Sequence, residues 1–142
     1  AGGGEQGREN LRALYANSTF PNLMDNHPSK RGPVFQIDGN YGTTAAMAEC
    51  LAQVSYDGVN PQAVSLLPAL PPRWQSGAVQ GLCLPGGACL DLVWENGTLQ
   101  TAALHADGSV ENAPALRGRG GMKSRLSQGQ SVTLNAALQP IH

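Results

Sequence analysis

The sequence has few charged and few aromatic residues. Lys, Arg, Asp and Glu make up 13% of the 142 residues, Phe, Trp and Tyr make up 5%, and the net charge is −1. A chain without an excess of positive charge has no long-range attraction for nucleic acid or for an anionic membrane. It also contains no apolar run near the roughly 20 residues that a membrane-spanning helix needs. We therefore expect no nucleic-acid partner and no membrane partner.

Cysteine is also scarce, and its spacing is unlike that of a metal site. The three cysteines, Cys50, Cys83 and Cys89, form no CxxC pair and no pattern with histidine, so we expect neither a metal nor an organic cofactor. Cys83 and Cys89 flank a Pro-Gly-Gly turn and could meet across it in an oxidising compartment. They could equally be buried free thiols that pack as small apolar side chains.

Glycine and proline are abundant, with 18 and 10 residues, which favours many turns and short strands. The pattern changes near residue 58. Before it, apolar residues at helical spacing predict two helices, at about residues 5–16 and 43–54. The segment between them, residues 17–42, is rich in proline, polar and aromatic residues, and we expect a shaped loop rather than a disordered one.

After residue 58 the periodicity is that of strands. Residues 64–72 form an apolar run broken by prolines, which predicts an edge strand or an extended connection. Residues 88–94 alternate, and the Asn96-Gly97 pair predicts a tight hairpin turn that leads into a strand at 99–104. A second turn at Asp107-Gly108 and a strand at 131–138 extend the pattern. Together these features predict an α+β chain whose second half is an antiparallel sheet or sandwich.

The most informative segment is Phe35-Gln36-Ile37-Asp38-Gly39-Asn40-Tyr41-Gly42. It places a carboxylate just before two glycines, Gly39 and Gly42, that let the backbone take angles which other residues resist. A helical pattern follows directly, and the positive end of its dipole favours the ionised form of the carboxylate. Asp38 is therefore suited to act as a base and poorly suited to donate a proton. The alternative is that it only caps the helix, as Asp and Asn commonly do.

Three neighbouring polar residues are candidate binding residues. Gln36 and Asn40 carry amides that could bind a polar ligand or fix Asp38, and His27 could contact the same ligand or be an ordinary loop histidine. One further group is basic: Arg117, Arg119, Lys123 and Arg125. No aromatic residue is interleaved with it for base stacking, so a solvated loop is favoured over a phosphate or RNA contact.

Several motifs in one order resemble glycoside hydrolase family 95, a family of inverting α-L-fucosidases with some α-L-galactosidases. They are Asn22-Leu23-Met24-Asp25-Asn26-His27-Pro28, then Phe35-Gln36-Ile37-Asp38-Gly39-Asn40-Tyr41-Gly42-Thr43-Thr44-Ala45, then Leu66-Leu67-Pro68-Ala69-Leu70-Pro71 with Trp74, Ser76-Gly77 and Gly81-Leu82. Residues 126–134 resemble the closing strand of the family. The resemblance implies that residues 1–57 are the last helices and active-site loop of a six-hairpin α/α toroid, and that residues 58–142 are a C-terminal antiparallel β domain.

The resemblance also implies roles for individual residues. Asp38 would activate a water held by asparagines in the hydrolysis of α-1,2-fucosyl linkages, with His27, Gln36 and Asn40 as substrate-binding residues. The family's general acid and water-holding asparagines lie on segments upstream of those that match here. We therefore expect the chain to need the remainder of the catalytic domain, to be inactive on a fucosylated glycan alone, and to be secreted, periplasmic or at the cell surface.

Two other interpretations compete with this one. The chain could be a non-catalytic carbohydrate-binding or structural packing module, in which exposed tryptophans, Trp74 and Trp94, would stack on sugar rings. The alternation around Trp94 instead favours a place in the core. An inactive relative within the same family is the third possibility.

Overall fold

The computed structural model describes residues 3–27, 29–85, 87–106, 114–118, 123–124 and 131–141. The described residues form two helices followed by strands, which confirms the α+β class. The helices are α1 (Gly3–Asn17) and α2 (Ile37–Leu51), and the strands are β1 (Ala52–Asp57), β2 (Asn60–Leu66), β3 (Gly77–Cys83), β4 (Cys89–Glu95), β5 (Thr98–His105), β6 (Ala115–Arg117), β7 (Lys123–Ser124) and β8 (Ser131–Asn135). No helix within these residues is long and apolar enough to cross a bilayer.

Helix α1 is a surface helix that packs on α2 and on the loop after β2. Its first turn contains Glu5, whose negative charge suits the positive end of the helix dipole. The Arg8 guanidinium pairs with Glu5 at the i, i+3 spacing and also with the adjacent Glu9. None of its residues is buried. A Cβ at Gly4 would come within 2.6 Å of the Leu70 carbonyl oxygen, so the absence of a side chain lets the helix approach that loop.

Helix α2 begins at Ile37, not near residue 43 as the sequence predicted. The prediction was wrong because it took Gly39 and Gly42 as residues needing unusual backbone angles, whereas neither has a positive φ. Gly39 serves close packing instead, since a Cβ there would lie 2.2 Å from Oδ1 of Asp25. Asp38 is therefore the second residue of the helix and not a residue preceding it.

The helix also ends earlier than predicted. Ala52 already has extended angles (φ −148°, ψ 122°) while its N–H still bonds to the Ala48 carbonyl, so α2 passes directly into β1. β1 pairs antiparallel with β2, from Ala52 opposite Leu66 to Asp57 opposite Asn60. The change from helix to strand thus comes at residue 52 rather than near 58.

The strands form two four-stranded sheets, in the orders β1-β2-β6-β7 and β3-β4-β5-β8. Pairing is antiparallel except between β2 and β6, which are parallel. Residues 64–72 were predicted to be an edge strand or an extended connection. The edge strand was wrong, because β2 lies between β1 and β6 and ends at Leu66, whereas residues 67–72 belong to the connection between β2 and β3. Pro61 occupies the start of β2, where the register with β1 shifts.

The hairpin between β4 and β5 confirms the sequence prediction. Asn96 and Gly97 both have positive φ, 51° and 70°, as a primed two-residue turn requires. Leu90 and Leu92 are fully buried, and they belong to one apolar cluster that also includes Val64 of the other sheet. A shared core between two sheets is compatible with a sandwich-like β domain.

The last strand is shorter than the predicted 131–138. It ends at Asn135, whose Oδ1 accepts hydrogen bonds from the N–H groups of Ala137 and Gln139 and so holds a turn. The predicted turn at Asp107-Gly108 lies outside the described residues.

Candidate functional site

Asp38 lies in the first turn of α2 with its side chain exposed to solvent. The preceding residue, Gln36, takes the N-cap position without a side-chain capping bond, and the Gly39 N–H donates to the Gln36 carbonyl at 3.2 Å. Within the described part of the chain, Asp38 makes no side-chain hydrogen bond or ion pair. The carboxylate therefore stands at the positive end of the helix and is available to a partner.

Asn40 faces the loop that precedes the helix. Its Nδ2 donates to the Leu23 carbonyl at 3.0 Å, and its Oδ1 accepts from the Asp25 N–H at 2.8 Å. Residues two apart on a helix point in different directions, so these bonds draw Asn40 away from Asp38. Asn40 thereby fixes the loop against α2 instead of holding the Asp38 carboxylate.

The loop itself is tightly turned. Leu23 has a positive φ of 65°. Its N–H donates to the Phe20 carbonyl, and the Phe20 N–H donates to the Met24 carbonyl. A positive φ is rare for a leucine, so the surrounding bonds must hold this turn. Its geometry sets the position of Asp25 against the helix.

Asp25 is a part of the site region that sequence reasoning left without a role. Its residue surface is only 7% exposed, and its side chain rests directly on Gly39. The signal that could have found it is a glycine inside a helical segment next to a candidate catalytic acid, since such a glycine often marks close packing. The contact between Asp25 and Gly39 determines how the loop packs against the first turn of α2, which contains Asp38.

His27 and Gln36 are both exposed and flank a small two-strand bridge. The His27 N–H donates to the Val34 carbonyl at 2.9 Å, and the Val34 N–H returns a bond to His27 at 3.0 Å. Between them the Gly32 N–H donates to the Ser29 carbonyl and closes a turn. The structure thus places all four sequence-predicted residues on one continuous loop-and-helix segment, with Asn40 bonded into it and the other three open to solvent.

A concave surface beside this segment lies on a face of α2 that does not include Asp38. It is an apolar groove of about 340 Å³ between the two helices, whose lining includes Leu11, Leu14, Ala46 and Cys50. Asp38 does not contribute to it. Burial, followed by the negative charge of Glu49, raises the pKa of the Cys50 thiol, so this cysteine stays protonated and unreactive.

Neither tryptophan forms an exposed platform for a sugar ring. Trp94 is only 6% exposed, and its Nε1 donates to the Trp74 carbonyl at 2.8 Å. Trp74 is partly buried against the core. The preference for Trp94 as a core residue is confirmed, and the exposed stacking surface expected of a sugar-binding module does not occur at these positions.

A charged cluster on the outer face of the β3-β4-β5-β8 sheet escaped the sequence reasoning. Asp91 accepts from the Gly81 N–H at 2.7 Å and lies 3.1 Å from His105 Nε2, while His105 Nδ1 lies 3.3 Å from Ser131 Oγ. The Gly81 N–H, and then His105, lower the pKa of Asp91. Only pairing across four strands, β3, β4, β5 and β8, brings these residues together, so no local motif could reveal them.

The basic cluster is only partly described. Arg117 is exposed at the end of β6 and Lys123 begins β7, while Arg119 and Arg125 lie outside the described residues. Among the residues that the structure describes, no group of three or more His, Cys, Asp or Glu side chains could hold a metal ion.

Comparison with known families gives two matches that divide the chain. Residues 2–51 match the glycosyl hydrolase family 95 catalytic domain, and residues 59–137 match the glycoside hydrolase family 95 C-terminal domain. The first match ends at the last residue of α2, where the structure changes from helix to strand.

Three named proteins are similar in sequence to this chain. Alpha-L-fucosidase 2 of Arabidopsis thaliana is 34% identical over 105 residues, which cover 73% of this chain and 11% of that protein. Two proteins named probable alpha-fucosidase A are similar over shorter stretches: that of Aspergillus niger is 37% identical over 70 residues and that of Aspergillus oryzae 36% over 67, covering 45% and 44% of this chain. The chain spans about a tenth of the length of these relatives, 11% of the first and 9% of the others.

Proposed function

Because this chain belongs to glycoside hydrolase family 95, we propose that it is the C-terminal part of an inverting exo-glycosidase that removes α-1,2-linked fucose from glycans. The observation that carries the proposal is the order of the two family matches, catalytic over 2–51 and C-terminal over 59–137, with Asp38 inside the catalytic match. The fucosidase names of the three relatives support the substrate class. A secreted, periplasmic or cell-surface location is part of the same proposal.

The proposed role of Asp38 is to accept a proton from an attacking water, through the asparagine amides that hold that water. Inversion needs an activated water on one face of the sugar and a proton donor on the other, with the two carboxyl groups about 6.5–9.5 Å apart. An exposed carboxylate in the first turn of a helix, without a hydrogen-bond partner among the described residues, is suited to the base role because it is accessible to the amide that holds the water.

The proton donor belongs, in this proposal, to the remainder of the catalytic domain. Helix α1 has no buried residue, and the apolar groove between α1 and α2 remains open. These surfaces support a place for α1 and α2 beside further helices of a toroid. His27 and Gln36, both exposed on the segment that leads to Asp38, are the proposed contacts to the fucose hydroxyls.

The test is Asp38→Asn in the longer protein that the proposal requires, with a 2'-fucosylated oligosaccharide as substrate. Loss of the base should lower kcat by about 10²–10⁴-fold, the usual contribution of a positioned acid or base. Glu49→Gln is the matched control, because Glu49 is also an exposed acid on α2 and lies near its other end. The proposed role fails if Asp38→Asn keeps near-normal turnover, and the need for the rest of the domain fails if the 142-residue chain alone releases fucose above background.

A further inference from the structure

Two cysteines face each other at the tip of the β3–β4 hairpin. Cys83 is the last residue of β3, Cys89 is the first of β4, and the two are direct partners in the antiparallel register. Their Sγ atoms lie 3.9 Å apart. The turn between them is narrow, because the Leu84 N–H donates to the Ala88 carbonyl at 2.8 Å and Gly87, with φ of 90°, returns a bond to Leu84.

The hydrogen bonding defines the geometry of this pair. Since Leu84 and Ala88 share a ladder hydrogen bond, the next pair along the ladder, Cys83 and Cys89, occupies a non-hydrogen-bonded position, where opposing Cα atoms are about 4.5 Å apart. A disulfide accommodates Cα separations of about 4.4–6.8 Å. Rotation of the two side chains can therefore bring the sulfurs to bonding distance without moving the strands.

We propose that Cys83 and Cys89 are a redox-active pair that closes to a disulfide on reaction with a low-molecular-weight disulfide such as oxidised glutathione. The exposed Cys83 reacts first: its thiolate attacks one sulfur of the reagent, forms a mixed disulfide and releases one glutathione thiolate. The Cys89 thiolate then attacks the Cys83 sulfur, forms the Cys83–Cys89 bond and releases the second glutathione. The two cysteines lose two electrons, the reagent gains them, and the two thiol protons end on the released glutathione or in solvent.

The pair occupies a place where closure has a structural effect. Cys83, Leu84 and Pro85 form one wall of a cleft of about 140 Å³, and the opposite wall comes from the end of α2 and from β1, including Glu49 and Tyr56. A disulfide between Cys83 and Cys89 would hold the wall formed by residues 83–85 in a fixed position relative to the start of β4. The pair therefore sets the rigidity of the hairpin at the point where the β domain meets the helix that carries Asp38.

The sequence provides an internal control. Trypsin separates the cysteines, since residues 32–73 contain Cys50 and residues 74–117 contain both Cys83 and Cys89 without an internal Lys or Arg. Cys50 is buried, so it should stay reduced, and its peptide shows that every remaining thiol has been alkylated after unfolding. Cys50→Ser should leave closure unchanged, whereas Cys83→Ser and Cys89→Ser should each abolish it.

The experiment equilibrates the chain with reduced and oxidised glutathione, blocks remaining thiols with an alkylating reagent in denaturant and weighs the two tryptic peptides. We expect peptide 74–117 to lack alkyl groups and to be lighter than its reduced form by two hydrogen atoms, with peptide 32–73 singly alkylated. The same glutathione mixture in guanidinium supplies the comparison. Because the folded hairpin positions the sulfurs in advance, the ratio of disulfide to dithiol should be about tenfold or more higher without denaturant.

Three results would overturn the proposal: two alkyl groups on peptide 74–117, glutathione adducts that do not resolve to the internal bond, or a closure ratio no higher in buffer than in guanidinium. The outcome is independent of fucosidase activity, so it also stands apart from the proposed function.

Discussion

Replacing Gly39 with alanine tests whether the packing of Asp25 on α2 holds the loop beside Asp38. An alanine Cβ at this position would lie 2.2 Å from Asp25 Oδ1, 2.5 Å from its Cγ and 3.0 Å from its Cβ. Turning the carboxylate aside cannot relieve the clash, because the Asp25 Cβ is also too close. The Asp25 backbone must therefore shift as well, which strains the two hydrogen bonds that Asn40 makes to Leu23 and Asp25.

The magnitude follows from opposing contributions. Alanine in place of glycine within a helix stabilises that helix by about 0.5–1 kcal/mol. Overpacking a close contact costs about 1–3 kcal/mol when the neighbouring hydrogen bonds are strained but kept. We therefore expect Gly39→Ala to destabilise the loop–helix contact by about 1–2 kcal/mol. Gly42→Ala is the control, since a Cβ there meets no atom within 4 Å, and it should stabilise the helix.

Amide hydrogen exchange measures the effect locally, without requiring the whole chain to unfold as one unit. The reporter is the Asp25 N–H, which is bonded to Asn40 Oδ1. A difference of about 2 kcal/mol between the variants corresponds to roughly thirtyfold faster exchange of this amide in Gly39→Ala than in Gly42→Ala. Equal exchange in the two variants would refute the reasoning that Gly39 exists to admit Asp25.

Two further predictions concern the β domain. Leu92→Ala should lower the free energy of unfolding by about 2–5 kcal/mol because its side chain is fully buried, whereas Val93→Ala, 44% exposed, should change it by about 0.5 kcal/mol or less; equal urea midpoints would contradict this assignment of faces. The Gly81 N–H and then His105 lower the pKa of Asp91 in the folded state from 3.8. The stability that ionised Asp91 contributes to the fold is therefore present above pH 3.8 and is lost as the pH falls through the lower, folded-state pKa. Asp91→Asn should therefore be less stable at neutral pH and converge with the parent in acid, and a constant difference across pH would count against it.

Local patterns in the sequence were sufficient for the β4–β5 hairpin. The alternation of Leu90, Leu92 and Trp94 and the Asn96-Gly97 turn depend only on near neighbours, and the structure has each as predicted. Helix α1 was likewise predicted, at about residues 5–16, from apolar residues at helical spacing. These features are local because side-chain alternation and turn angles depend on residues within a few positions of one another.

The errors share a different cause. The start of α2 was placed too late because Gly39 and Gly42 were taken to need unusual backbone angles ahead of the helix, and only the contact with Asp25 explains why Gly39 lies inside it. Residues 64–72 were predicted to be an edge strand or an extended connection because of their prolines, whereas the central place of β2 depends on pairing with β6, which lies far along the chain. The Asp91–His105 contact similarly requires the alignment of β4 with β5.

The sequence by itself determined the α+β class and, through the order of its motifs, the relationship to family 95. Both depend on residue types in linear order. Only the tertiary structure decided that Asp38 belongs to the first turn of α2, that Asn40 holds the Leu23–Asp25 loop, and that Cys83 and Cys89 lie opposite each other in a non-hydrogen-bonded pair. Those three features depend on where the helix begins and how strands align, and backbone hydrogen bonds and close packing set both.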